Sequence, residues 1–266
     1  EIHLSTSVGA ALYPNDSQDV PELIRFACNA MYQAKRMGRN KGQRYEPEGD
    51  QRSTDRLSLE NQLRKALDNH ELRLVYQPQF DMRSGALSGF EALSRWDLDD
   101  HGPVSPEEFI PLAEARGLIR PLTEWVVNEA CAQMALWQSL KLVDDHVTMG
   151  VNISPQHAQE EGFVSLIAAA LARSRLPAVN LELELTESVM MEGIDKRLEL
   201  INSLDQLGAR IAIDDFGKGY SSLSRLAKLP VDTIKIDRDF LRGVPYSLRD
   251  CAVARSIIAL GDGLNM

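Results

Sequence analysis

Apolar and polar residues alternate in two separate stretches of the chain, and a polar segment lies between them. The first stretch opens with an alternating run over 2–12, which predicts a strand. Apolar residues then recur at three- and four-residue spacing over 20–36, which predicts a helix. Residues 46–56 are polar and contain proline and glycine, as linkers do. We therefore predict two units, residues 1–45 and residues 57–266.

In the second unit, short apolar runs alternate with helical patterns. Six runs have the length and content of strands: Leu72–Gln77, Leu87–Leu93, Val147–Ile153, Leu181–Leu185, Arg210–Ile213 and Thr233–Ile236. Helical patterns lie between most of the runs or follow them, over Pro121–Leu140, Glu161–Arg173, Gly193–Leu207, Ser222–Lys228 and Leu248–Leu260. This alternation predicts βαβ units and a mostly parallel sheet. No GxGxxG motif follows the first strand, so we favour an α/β fold of the (β/α)8 TIM-barrel type over a doubly wound sheet.

A barrel of eight strand–helix units is longer than this chain. Six strands are accounted for before the chain stops at Met266, and the chain starts at Glu1 inside a strand-like run. We therefore expect a piece of a longer protein whose last two strand–helix units lie beyond Met266.

Composition argues against several classes of function. The formal net charge is −10, which disfavours a protein that binds DNA or RNA polymers through a basic face. The three cysteines are far apart and include no CxxC pair, so neither a zinc site nor a disulfide framework is predicted. A reducing cytoplasm is the simplest location for such a chain. The sequence contains no apolar run of about 18 residues, so it predicts no membrane-spanning segment.

Several predicted strands carry an acid, an amide or a lysine where the strand should give way to a loop. Such side chains can converge on one mouth of a parallel barrel, which is where barrel active sites lie. An oxygen-rich set of ligands suits a hard cation such as Mg²⁺ or Mn²⁺. The residues that form this set are Glu91, Asn152, Glu184, Asp214 and Asp215.

The adjacent acids Asp214 and Asp215 are the sharpest signal in this set. Neighbouring carboxylates repel each other unless cations neutralise them. Neighbouring strand residues point to opposite faces, but a turn at the strand end would let both acids face one pair of ions. The alternatives are a pair that caps the next helix, or one acid held in a structural ion pair.

The other candidates allow a structural interpretation beside the functional one. Glu184 is either a barrel-interior acid that needs a metal or a base, or a solvated residue of an edge strand. Asn152 on its own is typical of a turn or helix cap. Lys235 either forms a salt bridge with Asp237 or holds an attacking water and offsets phosphate charge. Arg95 is a phosphate or guanine contact, or otherwise a surface arginine.

Seven ordered motifs resemble a known family. They are Tyr76-Gln-Pro78, Glu91-Ala-Leu-Ser-Arg-Trp96, Phe109-Ile-Pro-Leu-Ala-Glu114, Asn152-Ile-Ser154, Glu184-Leu-Thr-Glu187, Asp214-Asp-Phe-Gly217 and Ile234-Lys-Ile-Asp237. From about Leu57 onward the chain resembles an EAL domain, the family of bacterial cyclic di-GMP phosphodiesterases. Residues 1–45 resemble the C-terminal part of an α+β GGDEF (diguanylate cyclase) domain, through Ser7–Pro14, Ala30–Lys35 and Gly38–Asn40.

The resemblance implies a function and roles for individual residues. It implies hydrolysis of cyclic di-GMP to linear pGpG by in-line attack of water with two Mg²⁺ or Mn²⁺ ions. The implied ion ligands are Glu91, Asn152, Glu184, Asp214 and Asp215, and the implied catalytic residues are Lys235, Asp215 and Glu91. The implied substrate contacts are Gln77, Arg95 and Tyr220, and Glu187 would organise the loop Asp214–Ser222. We also expect a cytoplasmic homodimer formed through the EAL-like domain, in a protein that an upstream segment could anchor to a membrane.

Two other functions stay open at this point. One is a receptor that binds cyclic di-GMP without hydrolysing it, and the other is a module for dimerisation and signal relay. The family places a further metal-site glutamate on its seventh strand and a ligand-binding glutamine after it, which this chain does not reach. We therefore expect the piece by itself to be weakly active or inactive.

Overall fold

The computed structural model describes residues 6–36, 41–45, 59–69, 71–98, 102–187, 194–217 and 226–266. The chain divides into two compact units, Glu1–Lys65 and Ala66–Met266. The predicted linker, 46–56, lies outside the described residues, so the predicted boundaries at 45 and 57 stay predictions. None of the helices in the described ranges is long and apolar enough to cross a membrane.

Within the first unit, the described residues up to Tyr45 form two short strands and one helix. Strand β1 (Val8–Ala10) pairs in parallel with β2 (Gly42–Arg44), and helix α1 (Val20–Arg36) connects them, as a parallel pair requires. The predicted helix is confirmed, whereas the predicted strand is shorter than expected and β2 was not predicted. The ring of Phe26 stacks on Tyr45 at 4.0 Å and forms a small buried cluster.

The remainder of the chain contains seven strands and seven α-helices within the described ranges. The strands are β3 (Leu72–Phe80), β4 (Leu87–Leu98), β5 (Gly102–Val104), β6 (Thr148–Asn152), β7 (Leu181–Thr186), β8 (Arg210–Phe216) and β9 (Thr233–Ile236). The helices are α2 (59–69), α3 (Pro106–Ala115), α4 (Ile119–Ser139), α5 (Pro155–Ala158), α6 (Phe163–Ser174), α7 (Ile194–Leu207) and α8 (Leu248–Leu264). Single 3-10 turns cover Ala178–Asn180 and Arg238–Phe240.

The seven strands form one mixed sheet. Its order is β3-β4-β6-β7-β8-β9, and β5 pairs with β4 off this path. From β4 through β6, β7 and β8 to β9 every pair is parallel, which confirms the mostly parallel sheet predicted from the alternation of strands and helices. Strand β3 is antiparallel to β4. The short turn 81–86 explains this exception, because a parallel connection would need a crossover of a dozen or more residues.

Strand β7 shows how completely the middle of this sheet is covered. Its residues Leu181–Leu185 are all buried, and the leucines at positions 181, 183 and 185 have no exposed surface. A strand in the middle of a parallel sheet is covered on both faces, so its acids are buried too. Glu182 accepts a hydrogen bond of 2.6 Å from Thr233 Oγ1. Glu184 is the second buried acid, and it belongs to the cluster described next.

Candidate active site

Five polar side chains from five parallel strands meet at one place on the sheet. The Nζ atom of Lys235 on β9 lies 2.9 Å from Glu91 Oε2 on β4, and it also contacts Glu184 Oε2 on β7. The same Nζ is 3.8 Å from Asp214 Oδ1 on β8. The amide of Asn152 on β6 donates a hydrogen bond of 2.7 Å to Glu91 Oε1. The structure therefore brings four of the five predicted ion ligands into one connected cluster.

Strand register explains why these side chains meet. Asn152 is the cross-strand partner of Glu184, and Glu91 is the partner of Gly150. Partners on neighbouring parallel strands point to the same face, and so do residues two apart on one strand. Glu91, Asn152 and Glu184 therefore share a face of the sheet.

Glu184 is the most deeply buried member of the cluster. Burial raises the pKa of its carboxyl group to about 8; the carboxylates of Glu91 and Asp214 add to the rise, and the ammonium of Lys235 opposes it. Its Oε1 atom is buried and has no hydrogen-bond partner among the described residues. That atom lies against Gly150, where a Cβ would collide with it. An oxygen without a partner in this position is suited to a cation.

Lys235 lies among these acids and remains an ammonium. Burial alone would lower its pKa, but the carboxylates of Glu184 and Glu91 outweigh this effect and raise the pKa above its ordinary value. The alternative of a salt bridge with Asp237 is not what the structure contains. Asp237 instead accepts a hydrogen bond of 2.8 Å from the backbone N–H of Asp239 and caps the 3-10 turn Arg238–Phe240.

A β-bulge interrupts the pairing of β8 with β9 at the two adjacent acids, whereas Asp214 still pairs with Thr186 on β7. The register between β8 and β9 shifts between Ile213 and Phe216. Within the bulge, Asp215 has a φ of 53°, in the left-handed region. A bulge breaks the strict alternation of strand faces, so the carboxylates of Asp214 and Asp215 are not forced to opposite faces.

Gly217, two residues after Asp215, is held by the end of the neighbouring strand β7. Gly217 has a φ of 108°, and its N–H donates a hydrogen bond of 2.8 Å to Glu187 Oε2. Glu187 follows β7 directly and is 3% exposed. The predicted loop-organising acid therefore contacts the start of the segment that follows β8, and its role in organising that segment stays a prediction.

The other predicted residues lie at different positions. Gln77 on β3 is exposed and is the register partner of Glu91. Arg95 lies four residues beyond Glu91 on the same face of β4, and its guanidinium donates a 2.8 Å hydrogen bond to Ser94 O. Tyr220 lies outside the described residues. The strand predicted to end at Leu93, shortly after Glu91, is longer than expected, because β4 continues to Leu98 alongside its antiparallel partners β3 and β5.

The structure also gives contacts to residues for which the sequence predicted no role of their own. Gly150 provides the space that the Glu184 carboxylate occupies. Ser154 accepts a hydrogen bond from the Gln156 N–H as the N-cap of α5, and its hydroxyl donates at 2.7 Å to Glu114 Oε1. Serine followed by proline after a strand is a recognisable helix start, which could have revealed Ser154. Nothing in the local sequence reveals Gly150.

The donor set fits a hard divalent cation chemically. Every predicted ligand offers oxygen, and one buried oxygen of Glu184 has no partner among the described residues. In the described ranges, no three or more His, Cys, Asp or Glu side chains are already arranged to hold an ion. The ammonium of Lys235 lies among the acids instead.

Comparison with known proteins identifies the family. The family model described as EAL domain matches residues 60–266. The chain belongs to the EAL-domain family. The model described as diguanylate cyclase, GGDEF domain, matches residues 1–41. Both resemblances found in the sequence are therefore confirmed.

Named relatives of this EAL-domain chain come from several bacteria. It is 41% identical over 266 residues to the bifunctional diguanylate cyclase/cyclic di-GMP phosphodiesterase MucR of Pseudomonas aeruginosa, covering 100% of this chain and 38% of MucR. It is 37% identical over 266 residues to the cyclic di-GMP phosphodiesterase PdeR of Escherichia coli, covering 100% of this chain and 40% of PdeR. The chain thus spans about two fifths of the length of these curated relatives.

A solved structure supports the fold. The c-di-GMP complex of the PaMucR phosphodiesterase matches with a TM-score of 0.74 at 41% identity, covering 79% of this chain and 84% of that one. EAL domains have a TIM-barrel-like fold, so the predicted fold class is confirmed.

Proposed function

We propose that this chain is a hydrolase that acts on cyclic di-GMP and opens it to linear pGpG. The observation that carries the proposal is the convergence of Glu91, Asn152, Glu184 and Asp214 on Lys235 at one face of an EAL-family sheet. The printed names of the relatives support it, because MucR and PdeR are called cyclic di-GMP phosphodiesterases. The structure of PaMucR with c-di-GMP supports the choice of ligand.

The proposed cofactors are two Mg²⁺ or Mn²⁺ ions. Glu91, Asn152, Glu184, Asp214 and Asp215 would hold them through oxygen atoms. When bound, the ions would offset negative charge on the phosphodiester and make a water molecule more acidic. The ammonium of Lys235 contacts Glu91, Glu184 and Asp214. These side chains would therefore have to reorient from Lys235 towards the ions on binding them.

The chain's own residues would perform the remaining steps. The ammonium of Lys235 would hold the water that attacks phosphorus in line with the leaving oxygen, and it would balance charge on the phosphate. Asn152 would keep Glu91 oriented through the hydrogen bond that it already donates. Gln77, Arg95 and Tyr220 would contact the nucleotide, and Glu187 would hold the segment after the bulge.

The test measures conversion of cyclic di-GMP to pGpG by chromatography, in the intact protein that contains this sequence. We expect conversion that depends on Mg²⁺ or Mn²⁺ and stops when EDTA is added. Glu91→Ala should abolish the conversion, whereas Glu199→Gln, a change at an exposed acid of α7, should leave it intact. Full turnover by the Glu91→Ala variant would refute the assignment.

A receptor that binds cyclic di-GMP without hydrolysing it is the second candidate. The observation that favours it is the position of the Lys235 ammonium, which contacts three of the acids proposed to hold the ions. Calorimetric titration separates the two candidates. Tight binding of cyclic di-GMP with no pGpG formed in Mn²⁺ would favour the receptor, and metal-dependent turnover would exclude it.

The remaining expectations about the whole protein stay predictions. They are homodimer formation through the EAL domain, a role in relaying an upstream signal, and a cytoplasmic location. Light scattering of the purified protein would measure the first of these directly.

A further inference from the structure

The turn that carries Asp214 and Asp215 has a backbone that needs outside support. Asp215 has a φ of 53°, and two residues later Gly217 has a φ of 108°. A left-handed conformation is unfavourable for a residue with a Cβ and persists only where the surroundings hold it. Glycine adopts this conformation freely, so the strain lies at Asp215, which implies that specific contacts fix this turn.

One of these contacts comes from β7, through the hydrogen bond from Gly217 N–H to Glu187 Oε2. A second contact comes from the segment after β9. A Cβ placed on Gly217 would lie 2.5 Å from Cε2 and 2.9 Å from Cζ of Phe240. The ring of Phe240 therefore occupies the space into which any side chain at position 217 would project.

The position of Phe240 is itself fixed by its own segment. Asp237 caps the 3-10 turn Arg238–Phe240, and the Phe240 N–H donates a 3.1 Å hydrogen bond to Asp237 O. Asp237 is 5% exposed and follows β9, the strand that carries Lys235. The contact between Phe240 and Gly217 therefore joins the end of β9 to the end of β8, just past the bulge at which their pairing shifts register.

We propose that Phe240 is a positioning residue for the reaction. Its ring packs on Gly217, which leaves no room for a side chain at this position, and so holds the turn that carries Asp214 and Asp215. The proposal rests on the proposed function, since it assigns to Phe240 the support of two acids that the function uses. It predicts that the turn loosens when the ring is removed, even without ligand or metal.

The experiment compares three variants of the intact protein. Phe240→Ala removes the ring, Phe240→Leu restores part of its volume, and Leu241→Ala removes a neighbouring apolar side chain that is 42% exposed. Hydrogen exchange of peptides covering 214–217 is measured in EDTA, with peptides covering β6 as the internal reference. The kinetic constants for cyclic di-GMP are then measured in Mn²⁺.

We expect Phe240→Ala to increase exchange at 214–217 at least tenfold while β6 stays protected, and Phe240→Leu to restore most of the protection. We also expect kcat to fall at least tenfold with KM within about twofold, and Leu241→Ala to change neither measurement. Unchanged exchange at 214–217 in Phe240→Ala would overturn the proposal, and so would faster exchange with an unchanged kcat. If exchange rises as expected but the wild type does not hydrolyse cyclic di-GMP, the support of the turn stands and the proposed function fails.

Discussion

Replacing Lys235 by methionine tests whether the ammonium holds the acids of the cluster together. In the protein without metal, Nζ is the cation that Glu91, Glu184 and Asp214 share. Methionine keeps most of the length of the side chain and removes the charge. We therefore expect Lys235→Met to destabilise the metal-free protein, because the carboxylates of Glu91 and Asp214 would then lie beside the buried Glu184 without the positive charge that Lys235 supplies.

The geometry sets the size of the expected loss. At an effective dielectric constant of about 20, opposite charges at 2.9 Å attract by about 6 kcal/mol and charges at 3.8 Å by about 4 kcal/mol. Much of this is offset by the cost of removing the charges from water, and loss of one partner of a buried pair typically costs about 3–5 kcal/mol. Lys235 is 22% exposed, so we expect about 3 kcal/mol. For a unit of this size that corresponds to a fall of roughly 6–12 °C in Tm.

Thermal unfolding in EDTA, monitored by circular dichroism, measures the loss of stability. The same melts in excess Mn²⁺ test whether metal ions replace the charge of the lysine. We expect Mn²⁺ to stabilise Lys235→Met more than the wild type, because the metal ions then supply the missing positive charge. The matched control is Lys228→Met, at an exposed lysine, where we expect a change within about 0.5 kcal/mol. Equal Tm values for wild type and Lys235→Met in EDTA would refute the counter-ion argument.

Three further predictions concern residues away from the cluster. Asn180→Ala should lower the free energy of unfolding by about 2–3 kcal/mol in urea denaturation, because the buried Asn180 amide donates to two backbone carbonyls just before β6. Burial lowers the pKa of His157, so as the pH falls below about 6.5 the unfolded chain gains a proton that the folded protein does not. His157→Gln should therefore lose less stability than the wild type between about pH 7.5 and pH 5.5, and equal losses would contradict this. Burial raises the pKa of the Cys131 thiol to about 12, whereas Cys28 is exposed. A thiol reagent should label Cys28 in the native protein and Cys131 only after unfolding, as mass spectrometry of the peptides would show.

Strands and helices were predictable from the sequence where the pattern of apolar residues alone determines them. All six predicted strands of the second unit exist. Strands β6, β7 and β8 are largely buried, as apolar runs in the middle of a parallel sheet should be, whereas β3 at the edge keeps several exposed residues. The limits of β4 were not predictable from its own residues, since pairing with β3 and β5 extends it to Leu98. Helix α3 was missed although Ser105 and Pro106 mark its start, because it is only ten residues long and contains Pro111.

The members of the site were easier to predict than their arrangement. Acids in apolar runs stand out in the sequence because burying them is costly without a partner. The central place of Lys235 follows from the register of five strands, which no single strand specifies. The bulge at Asp215 and the space above Gly150 are likewise properties of paired strands.

Glu182 and Glu184 show what the neighbouring strand adds. Both are buried on β7, two residues apart and on one face, so their local sequence does not distinguish them. The register partner of Glu182 on β8 is Arg210, whose Nε lies 3.7 Å from its carboxylate, and Thr233 donates a hydrogen bond to the same oxygen. The register partner of Glu184 is Ala212, which offers no charge, so its carboxyl group depends on Lys235, and its Oε1 has no hydrogen-bond partner among the residues that the structure describes. Arg210 on β8 therefore gives Glu182 a structural role, whereas Ala212 leaves Glu184 available for chemistry.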